Sequence, residues 1–202
     1  ILNIMKRILV IGGGAMGSAF TIPCLDNKNH VTITEPYSKI FIKDYLSKNK
    51  FHSALKIKLP KKLKFRKYSK YLLKEKFDLI VIGLSLSGID FIGNQLKELK
   101  IKTPILVLTK GLKYEKKENK IVTISEKLKK KYNVKNISVL KGPCLAKELA
   151  QKNQTSVVIA NKNINIAKSI GKKISTYYYL SEYSTDVVGV EVCSAIKNIY
   201  SM

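Results

Sequence analysis

The sequence predicts an α/β protein built on a doubly wound, mainly parallel sheet with helices on both faces. Three observations predict it. Short apolar, β-branched runs alternate with longer helical-looking stretches along the 202 residues, the order that builds parallel sheets through helical crossovers. The clearest of those runs are continuously apolar, as strands covered on both faces are. A glycine turn follows the first run and opens the first helical stretch, so the chain starts with a strand–turn–helix unit.

The elements follow in order. In "KRILVIGGGAMGSAF" the strand is 7–11 and the helix 15–28. "HVTITEP" (30–36) is a second strand, ended by Pro36, with a helix over 37–48. "KLKFRK" is a further short strand. "FDLIVIGLSL" (77–86) leads to a helix over 88–100, and "TPILVLTKG" (103–111) to one over 116–132. "ISVLKGP" (137–143) precedes a helix over 144–152, and "TSVVIAN" (155–161) one over 163–174. "TYYYLSE" (176–182) is the last strand, and Ser184, Thr185 or Asp186 can cap the helix that follows it. There is no internal repeat, low-complexity tract or Gly/Ser linker.

Bulk properties exclude several classes. Hydrophobic residues make up 45%, too many for a disordered chain. No apolar run approaches the roughly 20 residues of a membrane span, and no secretory signal opens the chain, so the expected location is the cytoplasm. Cys24, Cys144 and Cys193 are widely spaced and odd in number, which fits reduced thiols rather than a disulfide frame or a zinc site. His30 and His52 have no partner at metal-ligand spacing and read as surface or strand-edge residues; no metal site is expected. The net charge of +24 is the oddest feature. All but Arg7 and Arg66 of the 38 basic residues are lysines, scattered along the chain and clustered only in "KLPKKLKFRK" and "KLKKKY". Arginine is the side chain suited to bidentate phosphate and base recognition. The charge therefore reads as a solvated lysine-rich surface rather than a nucleic-acid footprint, and it draws in small anions.

Gly12, Gly14 and Gly17 form G-x-G-x-x-G directly after a strand and at a helix start. The first glycine permits the turn, the second lets a pyrophosphate approach the backbone, and the third lets helix and strand pack closely. The helix N-terminus then offers N–H groups and partial positive charge to phosphates. Glu35, at the end of the second strand, is the acidic residue that accepts hydrogen bonds from a ribose and repels a 2′-phosphate. NAD is favoured on this count, with Lys39 and Lys43 leaving NADP possible. The unit is a Rossmann-type dinucleotide site.

Three later motifs narrow the reading. "LTKGL" places Lys110 at the end of a strand, "GPCLAKELA" places Gly142 and Pro143 after another, and "STDVVGVEVCSAIKN" ends on Lys197 and Asn198. With "GGGAMG", these resemble the NAD(P)-dependent glycerol-3-phosphate dehydrogenase family. The family counterparts read approximately G-x-G-x-[aromatic]-G, A-T-K-G, S-G-P-[ST]-F-A-x-E and G-V-E-x-x-x-A-x-K-N. The resemblance implies that Lys197 is the catalytic lysine, exchanging a proton with the carbonyl oxygen of dihydroxyacetone phosphate or the hydroxyl of glycerol 3-phosphate. It implies that Lys110 sits between nicotinamide and substrate, with Gly142, Cys144 and Asn198 near the substrate. Ala146 would lie against the dinucleotide, and Ala15 and Met16 against its phosphates. The chemistry is sound by itself: hydride reaching a ketone leaves alkoxide charge on oxygen, and a nearby cation stabilises it.

Three departures stand out. Cys144 replaces a serine or threonine and can offer only a weak thiol contact. Met16 replaces an aromatic, and "IGLSLSG" replaces A-V-P-S. The resemblance also implies a helical substrate domain carrying an aspartate and an Arg–Asn pair. The chain is therefore expected to divide into a dinucleotide-binding domain over 1–185 and, over 186–202, the first helix of a substrate domain otherwise missing. The apolar face of 187–202 would then be exposed or used for self-association, and the full-length form would be a homodimer. Glu191 has no role assignable from sequence. A ketopantoate-reductase-like or other β-hydroxyacid dehydrogenase, and a non-catalytic dinucleotide- or anion-binding module, are the alternatives.

Overall fold

The structure, a computed structural model, describes residues 6–47 and 49–196. In chain order the elements are β1 (Arg7–Ile11), α1 (Ala15–Asp26), β2 (His30–Thr34), α2 (Lys39–Ser47), β3 (Phe51–His52), β4 (Ile57–Lys58) and β5 (Lys64–Phe65). A 3₁₀ turn (Lys70–Lys74) leads to β6 (Leu79–Ile82) and α3 (Ile89–Glu98). Then come β7 (Ile105–Val107), β8 (Leu112–Glu115), β9 (Lys120–Thr123), α4 (Ile124–Tyr132), β10 (Ile137–Lys141) and α5 (Ala146–Ala150). The last are β11 (Thr155–Ala160), α6 (Ile164–Ile174), β12 (Tyr179–Ser184) and α7 (Val187–Ile196).

Eight strands form the main sheet in the order β12-β11-β10-β7-β6-β1-β2-β5. Every pairing in it is parallel except β10 with β11, so the sheet is mainly parallel. Successive side chains on a strand point to opposite faces, and each face builds its own core. Ile8 and Val10 join Phe20, Phe41, Leu149 and Ala167, from α1, α2, α5 and α6. Leu9 and Ile11 join Ile89, Leu128 and Val187, from α3, α4 and α7. Helices thus cover both faces, and burial on both sides explains the continuous apolar strands.

The expected helix over 116–132 is the main correction. Its first half is a β-hairpin, β8 with β9, turning at Asn119 with φ +46. Asparagine tolerates that left-handed conformation better than most residues. The helix begins only at Ile124, where the Thr123 hydroxyl caps the Glu126 N–H at 3.2 Å. Buried Lys127 pairs with Asp90 at 2.8 Å and with Glu115 at 2.6 Å, tying α4 to α3 and to the hairpin. Lys127 and Tyr132 both donate to Asp90, holding its carboxyl well below the usual range. A second short hairpin, β3 with β4, falls where no element was expected. The stretch 144–152 is helical only over Ala146–Ala150.

Among the described residues no helix is long and apolar enough to cross a membrane. None of their His, Cys, Asp and Glu side chains gather in a group of three or more that could hold a metal.

Candidate functional site

Strand register sets the site. Ile11 pairs with Thr34 on β2 and with Ile82 on β6; Ile82 pairs with Val107, and Val107 with Val139. The residues just beyond this row (Gly12, Glu35, Gly83, Leu108 and Leu140) therefore line up along the carboxyl edge. The loops carrying Lys110 and Gly142 leave from the same edge. Strand order reverses between β1 and β6, which is where open α/β sheets bind ligands.

The glycine turn has the geometry its spacing predicts. Gly12 has φ +117, and a Cβ there would lie 2.6 Å from the Gly83 backbone. A Cβ on Gly17 would lie 2.1 Å from the Gly12 carbonyl oxygen, whereas one on Gly14 would meet nothing within 4 Å. Turn, close helix–strand packing and an open approach are thus divided among the three glycines. Gly14 caps α1 without any side-chain hydrogen bond, and no acidic residue stands in the first turn. The opening N–H groups of a helix have no intrahelical partner, so those at Ala15 and Met16 suit an anion. These features fit a dinucleotide phosphate. Half-buried Met16, in place of the expected aromatic, packs on the core.

Glu35 departs from its expected use. It is 5% exposed, and its carboxylate accepts from the backbone N–H groups of Gly13 at 2.5 Å, Tyr37 at 2.7 Å and Ser38 at 3.0 Å. It ties the turn after β1 to the turn after β2 and is aimed at backbone rather than offered to a ribose. His52 is a second correction. Expected at the surface or a strand edge, it ends the two-residue strand β3 but is only 5% exposed and lies 3.0 Å from the Gly13 carbonyl. His30, by contrast, is exposed at the start of β2.

At the other end of the row, Lys110 acts electrostatically on Lys141 and Cys144. The Lys141 side chain is 4% exposed and donates to the Thr109 carbonyl. Burial, aided by the Lys110 charge, pushes its pKa down to about 8 against the opposing pull of Glu191. Glu191 is 1% exposed and accepts from the Ser125 N–H at 3.2 Å. This gives it the structural role that sequence could not supply, anchoring α7 to α4. A cavity of about 440 Å³ opens here, lined by Lys141, Gly142, Asp186, Val190, Cys193 and Ser194.

The Cys144 thiol, expected at the substrate, is instead buried in the core, 4% exposed, and burial raises its pKa. Cys24, Cys144 and Cys193 are all unbridged. Ala146 opens α5, which packs on α1. Asp186 caps α7 through the Gly189 N–H at 2.8 Å. That helix packs on β9, β10, β11 and α4, so its described part rests on the sheet, although Val188 stays 54% exposed. Lys197 and Asn198 lie outside the described residues. Nothing in the sequence signals the burial of His52 and Lys141. The only trace of Lys141 was "KGP" where the family reads S-G-P.

The fold and the glycine turn define a Rossmann-type domain of the dehydrogenase kind. The sequence pattern described as "NAD-dependent glycerol-3-phosphate dehydrogenase N-terminus" matches residues 7–167, and the chain belongs to that family. An NADP(+)-dependent glycerol-3-phosphate dehydrogenase of Archaeoglobus fulgidus is 28% identical over 197 residues, 96% of this chain and 58% of that protein. A glycerol-3-phosphate dehydrogenase [NAD(P)+] of Rickettsia typhi is 31% identical over 204 residues, 100% of this chain and 62% of that one. The chain thus spans about three fifths of these relatives. The crystal structure of glycerol-3-phosphate dehydrogenase from Coxiella burnetii shares the fold, with a TM-score of 0.81 at 22% identity over 96% of this chain and 58% of that one.

Proposed function

We propose that this chain is the cofactor-binding part of an NAD(P)-dependent glycerol-3-phosphate dehydrogenase, which interconverts dihydroxyacetone phosphate and sn-glycerol 3-phosphate. The observation that carries the reading is the alignment of three family motifs, at Gly12–Gly17, Lys110 and Gly142, along one sheet edge. The family match supports the substrate assignment and argues against the ketopantoate-reductase-like alternative. The chain divides into a dinucleotide-binding domain over 1–185 and the start of a substrate domain over 186–202, a division supported by α7 (Val187–Ile196) following the last strand of the sheet. The full-length protein acts as a cytoplasmic homodimer.

The nicotinamide cofactor, when bound, supplies or accepts the hydride. The first-turn amides of α1 and the open face at Gly14 hold its phosphates, with Ala15, Met16 and Ala146 beside it. Lys110 places positive charge next to the reacting oxygen, and Lys197 gives that oxygen its proton. Gly142 and Asn198 orient the phosphorylated substrate.

Titration of the purified chain with NADH tests the reading. NADH is expected to raise the melting temperature and change its own fluorescence on binding, with little or no turnover of dihydroxyacetone phosphate. Silence in both signals at millimolar NADH would refute cofactor binding. Rapid turnover would contradict the division of the substrate site between this chain and a further domain.

A further inference from the structure

The two peptide units that flank Gly13 are held by residues outside the glycine motif. The Gly13 N–H donates to Glu35 at 2.5 Å. Its carbonyl accepts from the Ser18 hydroxyl at 3.0 Å and lies 3.0 Å from His52 Nε2. A Cβ on Gly13 would lie 2.4 Å from the Phe41 ring, which itself packs on His52 with centroids 5.7 Å apart. The hydrogen bonds also settle the imidazole tautomer. His52 Nδ1 accepts from the Leu55 N–H at 3.2 Å, so Nδ1 carries no hydrogen and Nε2–H donates to Gly13.

We propose that His52, as a neutral Nε2–H imidazole, is a positioning residue for dinucleotide binding: it fixes the Gly13 carbonyl so that the next amides face the pyrophosphate. This rests on the cofactor reading above. The Gly13 carbonyl shares its plane with the Gly14 N–H, whereas the N–H held by Glu35 belongs to the preceding Gly12–Gly13 peptide, so Glu35 leaves the carbonyl's plane unset and the Ser18 hydroxyl ties it only to α1. The bond from His52 comes from the β3–β4 hairpin, thus coupling the loop beyond α2 to the glycine turn. Buried and fully paired, the imidazole has little alternative but to hold this geometry. The preorganised turn then loses less freedom when it takes up phosphates.

NADH titrations of wild type, His52→Gln and His52→Leu test this, together with ¹⁵N spectra of the imidazole and the Gly14 amide. Glutamine can donate from its amide to the Gly13 carbonyl; leucine cannot. His52→Leu is expected to weaken NADH binding about tenfold, the scale of one buried hydrogen bond. His52→Gln is expected to stay within about twofold of wild type. The wild-type spectrum should show a protonated Nε2 and a bare Nδ1, and the Gly14 amide, which shares its peptide with the Gly13 carbonyl, should shift in His52→Leu and not in His52→Gln. Equal loss in both variants would reduce His52 to packing and overturn the proposal, as would wild-type affinity in His52→Leu. If wild type binds no NADH, the cofactor reading fails and the positioning role with it. The two nitrogen spectra then still report whether the His52–Gly13 bond exists.

Discussion

Gly17→Ala is expected to destabilise the chain by about 3 kcal/mol or more, the upper range for forcing extra volume into a packed interior. For a chain of this size that corresponds to a fall in melting temperature of about 6–12 °C. The added methyl would sit 2.1 Å from the Gly12 carbonyl oxygen, a backbone atom that cannot rotate away. Relief requires α1 to move off β1, and with it the side chains of Phe20 and Cys24, both fully buried. Gly14→Ala is the informative contrast. Its methyl would meet no atom within 4 Å, and Gly14 has φ −64, which alanine adopts without strain. This variant should melt within about 2 °C of wild type, a surface-scale change, while losing NADH affinity, because the methyl occupies the approach of the phosphates. Calorimetry with parallel NADH titration separates the two. A Gly17→Ala protein that melts with wild type would refute the close helix–strand contact, and a Gly14→Ala protein with unchanged affinity would refute the phosphate site.

Lys141→Met is expected to stabilise the chain at pH 7 and to flatten its stability between pH 7 and 9.5. The Lys141 ammonium is pushed down to about 8 by burial and Lys110, whereas in the unfolded chain it titrates near 10.4. Between those values the unfolded state binds the extra proton, so stability rises with pH through that window and is lowest, by this contribution, below pH 8. The full penalty is about 3 kcal/mol. Methionine removes it at similar volume but leaves the Thr109 carbonyl without its donor, which costs back about 1 kcal/mol. A net gain of about 2 kcal/mol at pH 7 follows from those two magnitudes. Urea unfolding of both proteins at pH 7, 8.5 and 9.5 measures it. The difference between them should shrink as pH rises; a constant difference would mean that Lys141 keeps its ordinary pKa. That a protein keeps so costly a charge beside Gly142 fits a site built to receive an anion.

The sheet and its glycine turn could be read because their signals are local. A continuously apolar run buried on both faces, and G-x-G-x-x-G between a strand and a helix, need no distant partner. The same holds for the Asp186 cap, whose bond spans three residues. The stretch 116–123 misled because its charges suit a helix surface as well as a hairpin. Asn119 at the turn, and the pairing of Lys127 with Glu115 and Asp90, decided for the hairpin.

By itself, then, the sequence determined the fold class, the position of the dinucleotide turn and the row of motifs on the carboxyl edge. Only the tertiary structure decided that Glu35 is spent on backbone amides, that His52 reaches Gly13 across 39 residues, and that Lys141 lies buried near Glu191 and Lys110. Hydrogen bonding and desolvation depend on which groups meet in space. Each of the three has a partner in a distant loop, Gly13 for Glu35 and for His52, and Thr109 for Lys141, so no periodicity along the chain records the contact.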